Sequence, residues 1–298
     1  MNINGVVNVH KEAGMTSRDV VNVMSKFYGI KAGHTGTLDP MATGVLPICL
    51  GKSTKIADRI TAKDKTYIAR VIFGSTTDTL DSEGEITQTL PFNADLEQVR
   101  AALQQFIGEI AQVPPMYSAL RYNGRRLYEL AREGQTLELQ PRNVTIFKLE
   151  LMEHSLPQYI DIYVECSKGT YIRSLCRDIG EALGSCAHMG SLVRTKSGQF
   201  LLEDALTLGQ ITEHQNPLDL ILPPEKVLLD FKRIQLPRAV QGALENGNPI
   251  ESRFWSRSIE FEQDKEILVF DYKNRLVGIY VFDEKDGAQV LKTRKHLL

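Results

Sequence analysis

Cysteine chemistry is scarce in this chain. Its four cysteines, at 49, 166, 176 and 186, form no C-x-x-C pair and have no suitably spaced histidine pair beside them, so neither a zinc site nor a disulfide framework is indicated. Reduced thiols in a cytoplasm are the expectation. Long hydrophobic runs are missing too: no stretch approaches the roughly eighteen consecutive apolar residues that a membrane span needs. The opening M-N-I-N-G-V-V-N-V-H-K has no basic segment followed by a long apolar one, which points to a soluble, unexported protein with no membrane partner. Positive charge is not in excess. A net charge of -2 and a pI near 6.3 argue against indiscriminate polyanion binding, because neutralising phosphates takes clustered Lys and Arg. Any nucleic-acid site must be a local patch. What remains is an ordinary globular composition, 298 residues and 42% hydrophobic, sufficient for one large or two unequal domains.

The stretch Gly33 to Gly51, G-H-T-G-T-L-D-P-M-A-T-G-V-L-P-I-C-L-G, follows neither helical nor strand periodicity. Asp39 stands directly before Pro40, and a residue before proline is held extended. Glycines at 33, 36 and 44 permit positive φ or close backbone approach, so the segment reads as a loop that presents Asp39 at a fixed angle. Val45, Leu46, Ile48, Cys49 and Leu50 anchor it in a core. From the residues alone, a structural turn with a capping aspartate accounts for the same pattern.

Gly5 to Val9 alternates as a strand, and Thr16 or Ser17 caps a helix with Val20, Val21, Met24 and Phe27 on its apolar side and Gly29 as its stop. G-K-S-T at 51–54 is no phosphate-binding loop, since Leu46 stands where that motif requires glycine. Thr66 to Phe73 is apolar on nearly both faces and reads as a central strand. The acids at 78, 81 and 83 read as a solvated turn, without calcium-loop spacing or accompanying ligands. Asp95 to Ile110 has helical spacing. Val113 to Arg142 interleaves Tyr117, Tyr122 and Tyr128 with Arg121, Arg125, Arg126 and Arg132, fitting either stacking and phosphate contacts with RNA or a plain surface helix. Strands are expected over Val144 to Leu151 and Tyr159 to Cys166, then an amphipathic helix starting near Thr170 with Arg173 in its first turn. A cation there opposes the helix dipole unless an anion pairs with it. A proline-bearing connector follows, and the last seventy or so residues carry strands over Ile267 to Tyr272 and Leu276 to Phe282, joined across Lys273-Asn274 as a hairpin.

Four motifs, in order, give these segments a common meaning. H-T-G-T-L-D-P-x-A-T-G-V-L-P resembles the catalytic loop of the TruB family of tRNA pseudouridine-55 synthases. K-E-A-G-M-T-S at 11–17 is similar to the family's K-P-x-G-x-[ST]-S, with Glu12 in place of the usual proline. K-T-Y at 65–67 and G-T-Y-I-R-S-L at 169–175 complete the set, with M-G-S-L-V-R-T at 189–195 behind them, and the resemblance runs to at least Phe200.

The resemblance implies that Asp39 is the catalytic carboxylate, that Tyr67 stacks on the target uracil and is a candidate acid or base near its C5, and that Arg173 pairs with Asp39. It further implies that Tyr171 and Leu192 wall the uridine pocket, and that His34 belongs to the RNA-binding face. The fold implied is α+β, a twisted, largely antiparallel sheet with flanking helices, the pseudouridine synthase fold, over residues 1–228. A small β-rich, PUA-like RNA-binding domain over 229–298 follows it. The activity implied is conversion of uridine 55 in the T loop of tRNA to pseudouridine, with the T-arm as partner, a monomeric enzyme, and no cofactor or metal. Arg173 beside Asp39 would lower its pKa by roughly one to three units, offsetting the rise from burial, so an ionised Asp39 at neutral pH is expected. Two other readings stand beside this one. A non-catalytic tRNA-binding or folding chaperone would use the same fold, and a glycosidase would need a second acid, for which the sequence offers no obvious partner beside Asp39.

Overall fold

The computed structural model describes residues 3–285 and 287–297, so the outermost residues of the two expected domains, 1, 2 and 298, lie outside the described chain. A nine-stranded sheet forms the larger body. Its strands are β1 (Gly5–Lys11), β2 (Ala32–His34), β3 (Thr43–Leu50), β4 (Lys65–Phe73), β7 (Gly108–Gln112), β10 (Arg142–Ser155), β11 (Tyr159–Cys166), β12 (Ala187–Ser197) and β13 (Phe200–Leu201). The small pairs β5 (Ser75–Thr77) with β6 (Ile86–Thr89), and β8 (Arg121–Tyr122) with β9 (Arg125–Arg126), project from it. The main path runs β1-β3-β12-β4-β11-β10-β7, which puts β4 at its centre. Every pairing is antiparallel except β3 with β12, which run parallel through Val193 opposite Thr43 and Arg194 opposite Gly44.

The alternation of β4 explains its place. Tyr67, Ala69, Val71 and Phe73 are buried, whereas Ile68, Arg70 and Ile72 on the other face stay half-buried. The inner face is covered by three helices, Ser17–Tyr28, Leu96–Gln104 and Ile172–Ala182, whose Val20, Met24, Val99, Leu103, Leu175 and Ile179 join one core. A sheet covered on one side and partly wetted on the other is the usual antiparallel solution.

Local chemistry sets the helix ends. Thr16 and Asp19 form a reciprocal capping box, and Gly29 closes the first helix at φ 66°, a left-handed conformation that suits glycine. Phe27, expected on the buried side of that helix, is 38% exposed. The helix expected to reach Ile110 ends at Gln104, because Gly108 turns the chain at φ 103° and Ile110 then pairs with Val144 at the sheet edge.

The second body is a five-stranded sheet of β14 (Lys232–Gln235), β15 (Ile250–Glu251), β16 (Glu266–Phe270), β17 (Leu276–Lys285) and β18 (Ala288–His296), ordered β14-β16-β17-β18-β15. Trp255 packs edge-on to Phe282 in its own core. The hairpin expected across Lys273-Asn274 is wider than two residues. Asp271 accepts hydrogen bonds from the Lys273 and Arg275 amides at 2.9 Å each, ending β16 at Phe270 instead of Tyr272. Ile56, Leu228, Phe270, Ile279 and Leu297 pack the two bodies together. Among the described residues no helix is long and apolar enough to cross a membrane.

Candidate active site

The loop between β2 and β3 is held by its backbone. Ser17 Oγ donates to the Leu38 carbonyl at 2.9 Å and accepts from its amide at 2.8 Å. Two buried cations secure the remaining carbonyls: Lys11 Nζ donates to Pro40 O at 3.0 Å, and Arg194 donates through Nε to Val45 O at 2.7 Å and through Nη2 to Gly36 O at 3.0 Å. Gly44 lies where a Cβ would meet the Arg194 carbonyl oxygen at 2.2 Å, at φ 105°, so glycine is required there. Gly36 also has positive φ, whereas Gly33 sits in strand β2, contrary to its expected turn role. The flanks of the supposed loop are strands, and the true loop is residues 35–42.

Asp39 emerges from this frame. Arg173, buried in the first turn of its helix, meets it with both arms of the guanidinium: Nε lies 3.0 Å from Oδ2, and Nη2 donates to Oδ1 at 3.1 Å. The same guanidinium donates to Thr79 O at 2.9 Å and Tyr117 O at 2.8 Å. A planar fork with five donors is suited to such sharing. The anion that the helix dipole demands for Arg173 is therefore present.

A second carboxylate faces the same arginine. Asp81 Oδ2 is 3.6 Å from Arg173 Nη1, and Asp81 is buried. This corrects the reading of that segment as a solvated turn and the expectation that no carboxylate stands near Asp39. The physical reason is a long-range contact: residue 81 bridges to Met189 of β12, Leu80 turns at φ 62°, and Thr79 Oγ1 donates to Asp81 Oδ1 at 2.6 Å. Burial pushes the Asp39 carboxyl above its ordinary 3.8, Arg173 pulls it down, and Asp81 pushes it up again; the net direction is upward. The sequence-based balance omitted Asp81, and the arginine does not fully offset burial.

Tyr67, Tyr171, Leu192, Asp39 and Arg173 line one cleft of about 580 Å³, within the range of small-ligand sites. Burial raises the Tyr67 phenol, with Arg194 opposing, so Tyr67 is an O–H donor at neutral pH. His34 stands apart from this lining. It sits in β2, its Nδ1 accepts from the Gly36 amide at 3.3 Å, and burial, Arg18 and Arg194 all push its pKa down. Tyr117, Tyr128 and Arg132, from the tyrosine- and arginine-rich segment, border the cleft, while Tyr122 projects into solvent. Only Leu127–Arg132 of that segment is helical.

Lys11, Lys65 and Arg194 carry the site without having been given a role from sequence, and Asp81 joins them against its reading as part of a solvated turn. Burial lowers Lys11 and Lys65 to about 8 each. Lys11 lies in the K-E-A-G-M-T-S motif and Arg194 in M-G-S-L-V-R-T, so the only signal was their place in motifs whose chemistry lay elsewhere. Among the described residues, no group of three or more His, Cys, Asp or Glu could hold a metal ion.

The family model "TruB family pseudouridylate synthase (N terminal domain)" matches residues 22–172 of this chain. The chain belongs to the TruB family of pseudouridylate synthases. A further model, the tRNA pseudouridylate synthase B C-terminal domain, matches residues 173–229 and so ends where the second sheet begins. The TruB relatives include tRNA pseudouridine synthase B of Clostridium tetani, 43% identical with 97% of this chain and 99% of that protein covered. The protein of that name from Alkaliphilus oremlandii is 40% identical, with 96% of each covered. A chain of a solved H/ACA RNP bound to a substrate RNA containing 2'-deoxyuridine is 23% identical, has a TM-score of 0.71, and covers 99% of this chain and 85% of its own. That likeness extends the TruB fold over both sheets.

Proposed function

We propose that this chain is a tRNA pseudouridine synthase that isomerises uridine 55 of the T loop, with Asp39 as its catalytic carboxylate. The observation that carries the reading is the Arg173–Asp39 fork at the floor of a cleft walled by Tyr67, Tyr171 and Leu192. Pseudouridine formation breaks the N1–C1′ glycosidic bond, turns the uracil and joins C5 to C1′; C5 gives up its proton and N1 gains one as N–H. Atoms and electrons balance without oxidant, nucleotide or metal. Ionised Asp39 engages the reacting nucleotide, and Arg173 supplies a counter-charge that opposes the upward push of burial on its carboxyl.

Extruding a stacked uridine costs a few kcal/mol, and stacking on Tyr67 returns roughly 1 to 3 kcal/mol. Tyr171 and Leu192 close the pocket around the base, and the Tyr67 hydroxyl, protonated at neutral pH, serves as a proton-transfer group. His34, outside the cleft, braces the RNA where the uridine has left. Residues 1–228 form the catalytic domain of a cytoplasmic monomer, and residues 229–298 a PUA-like module that contacts the rest of the tRNA.

Tritium release from uracil C5 tests the proposal directly. Unmodified tRNA labelled in its uridines should release tritium with the wild-type protein, and not with Asp39→Ala. Cytidine in place of uridine 55 should abolish release, and a T-arm stem-loop alone should support it. Release that persists in the cytidine-55 transcript would move the target elsewhere in the tRNA.

A further inference from the structure

A second cavity of about 500 Å³ shares Lys65 with the cleft and has no part in the chemistry above. Lys65 is buried, and its ammonium donates to the carbonyls of Thr61, at 2.6 Å, and Lys63. An ammonium has three donors, and among the described residues no carboxylate forms an ion pair with Lys65. Lys196 lines the same cavity, is exposed, and likewise has no described carboxylate partner. The other two cations of the wall are neutralised, Lys63 by Asp230 and Arg59 by Glu266. The carboxylate of Glu165 accepts from the Tyr163 hydroxyl, and Asp64 and the Lys63-paired Asp230 are the other acids in the wall.

Phe147 is the distinctive residue of this cavity. In β10 the buried positions run Val144, Ile146, then Leu149, a step of three where a regular strand takes two. The register against β11 shifts between Ile146 and Lys148, a bulge that turns two consecutive side chains, Phe147 and Lys148, to the outer face. Bulges re-aim side chains and cluster beside functional sites. Phe147 is left 50% exposed in the cavity wall.

We propose that this cavity receives a second nucleotide of the substrate RNA, its base stacked on Phe147 and its phosphate neutralised by Lys65 and Lys196. The proposal rests on the RNA-modifying reading above. A flat aromatic face and unpaired cations are the two elements of sequence-tolerant strand binding, and the shared Lys65 makes the two cavities successive stations along one strand. In a chain of net charge -2, unpaired lysines beside an exposed ring form the kind of local patch that phosphate binding needs.

Filter binding of unmodified tRNA transcript across a salt series tests this on Phe147→Ala, Phe147→Trp and Lys196→Ala, with tritium release followed in parallel. Both side chains are exposed, so the substitutions leave the core untouched. Phe147→Ala should weaken binding about tenfold, and Phe147→Trp should restore it. Lys196→Ala should flatten the dependence of log K on log salt by roughly one phosphate contact. Wild-type affinity and slope in both alanine variants would overturn the proposal. So would uridine monophosphate binding with the same dependence on Phe147, which would assign the cavity to a free nucleotide. A wild-type protein that neither binds nor modifies tRNA would sink the RNA reading itself, a failure distinguishable from this one.

Discussion

Asp39, half-buried, and Asp271, fully buried, stand one in each sheet-bearing body, and the fold treats them in opposite ways. Asp271 ends β16 with its carboxylate accepting from two backbone amides at 2.9 Å and from Arg275 Nε at 2.8 Å. Burial alone would raise it, but these bonds hold it below the ordinary 3.8. Asp39 has no amide donor on its carboxylate among the described residues. It shares one arginine with Asp81 and two carbonyls, and its shift is upward. A carboxylate saturated by its own turn is structural. One held by a divided counter-charge and facing a cleft retains bonding capacity for a substrate.

The comparison is most severely tested by Asp39→Asn, which keeps the shape and removes the charge. Single-turnover tritium release should fall by more than roughly 10³-fold. Affinity for tRNA should hardly change. A rate near wild type would make Asp39 a second structural carboxylate and erase the contrast. Asp271→Asn should do the reverse, leaving chemistry intact and costing about 1 to 3 kcal/mol of stability in urea at neutral pH, as unsatisfied buried amides do. Its pH dependence has a definite sign. Because the folded Asp271 lies below 3.8, its stabilisation is present above that value and disappears as pH falls through the folded pKa. The gap in urea midpoint between wild type and variant should therefore close below about pH 4. For Asp39 the folded value is raised, so its protonated form is the one the fold favours, with stabilisation complete below 3.8 and lost as pH rises through the folded value.

Much of this architecture is visible in the residues themselves. The alternation of β4, the Thr16 cap and the Gly29 stop are local signals, and each stands in the structure where the pattern put it. The Gly- and Pro-rich character of the Asp39 loop was legible for the same reason. What holds that loop was not. Lys11 bonds Pro40 across 29 residues, and Arg194 bonds Val45 and Gly36 across 149 and 158. No periodicity records a side chain's carbonyl partner. Arg173 and Asp39 are 134 positions apart, and their pairing was anticipated only through resemblance to a family. Asp81 was misjudged because its neighbours are polar and acidic. Its burial comes from β12, more than a hundred residues later.

That misjudged residue gives the finest test. Asp81 competes with Asp39 for Arg173 and repels its charge, so removing the competitor should make Asp39 easier to ionise. Asp81→Asn keeps an oxygen for Thr79 Oγ1 and the Glu83 amide, which donate at 2.6 and 3.1 Å, so the turn should survive. The acid limb of kcat/KM reports ionisation in the free enzyme, and if Asp39 must be ionised that limb should move to lower pH, because a like charge that raises Asp39 has been removed. A limb that stays in place would mean that Asp81 does not act on Asp39 through charge. Its burial beside Arg173 would then serve only to lock the turn that carries Thr79, and Asp81 would join Asp271 on the structural side of the comparison.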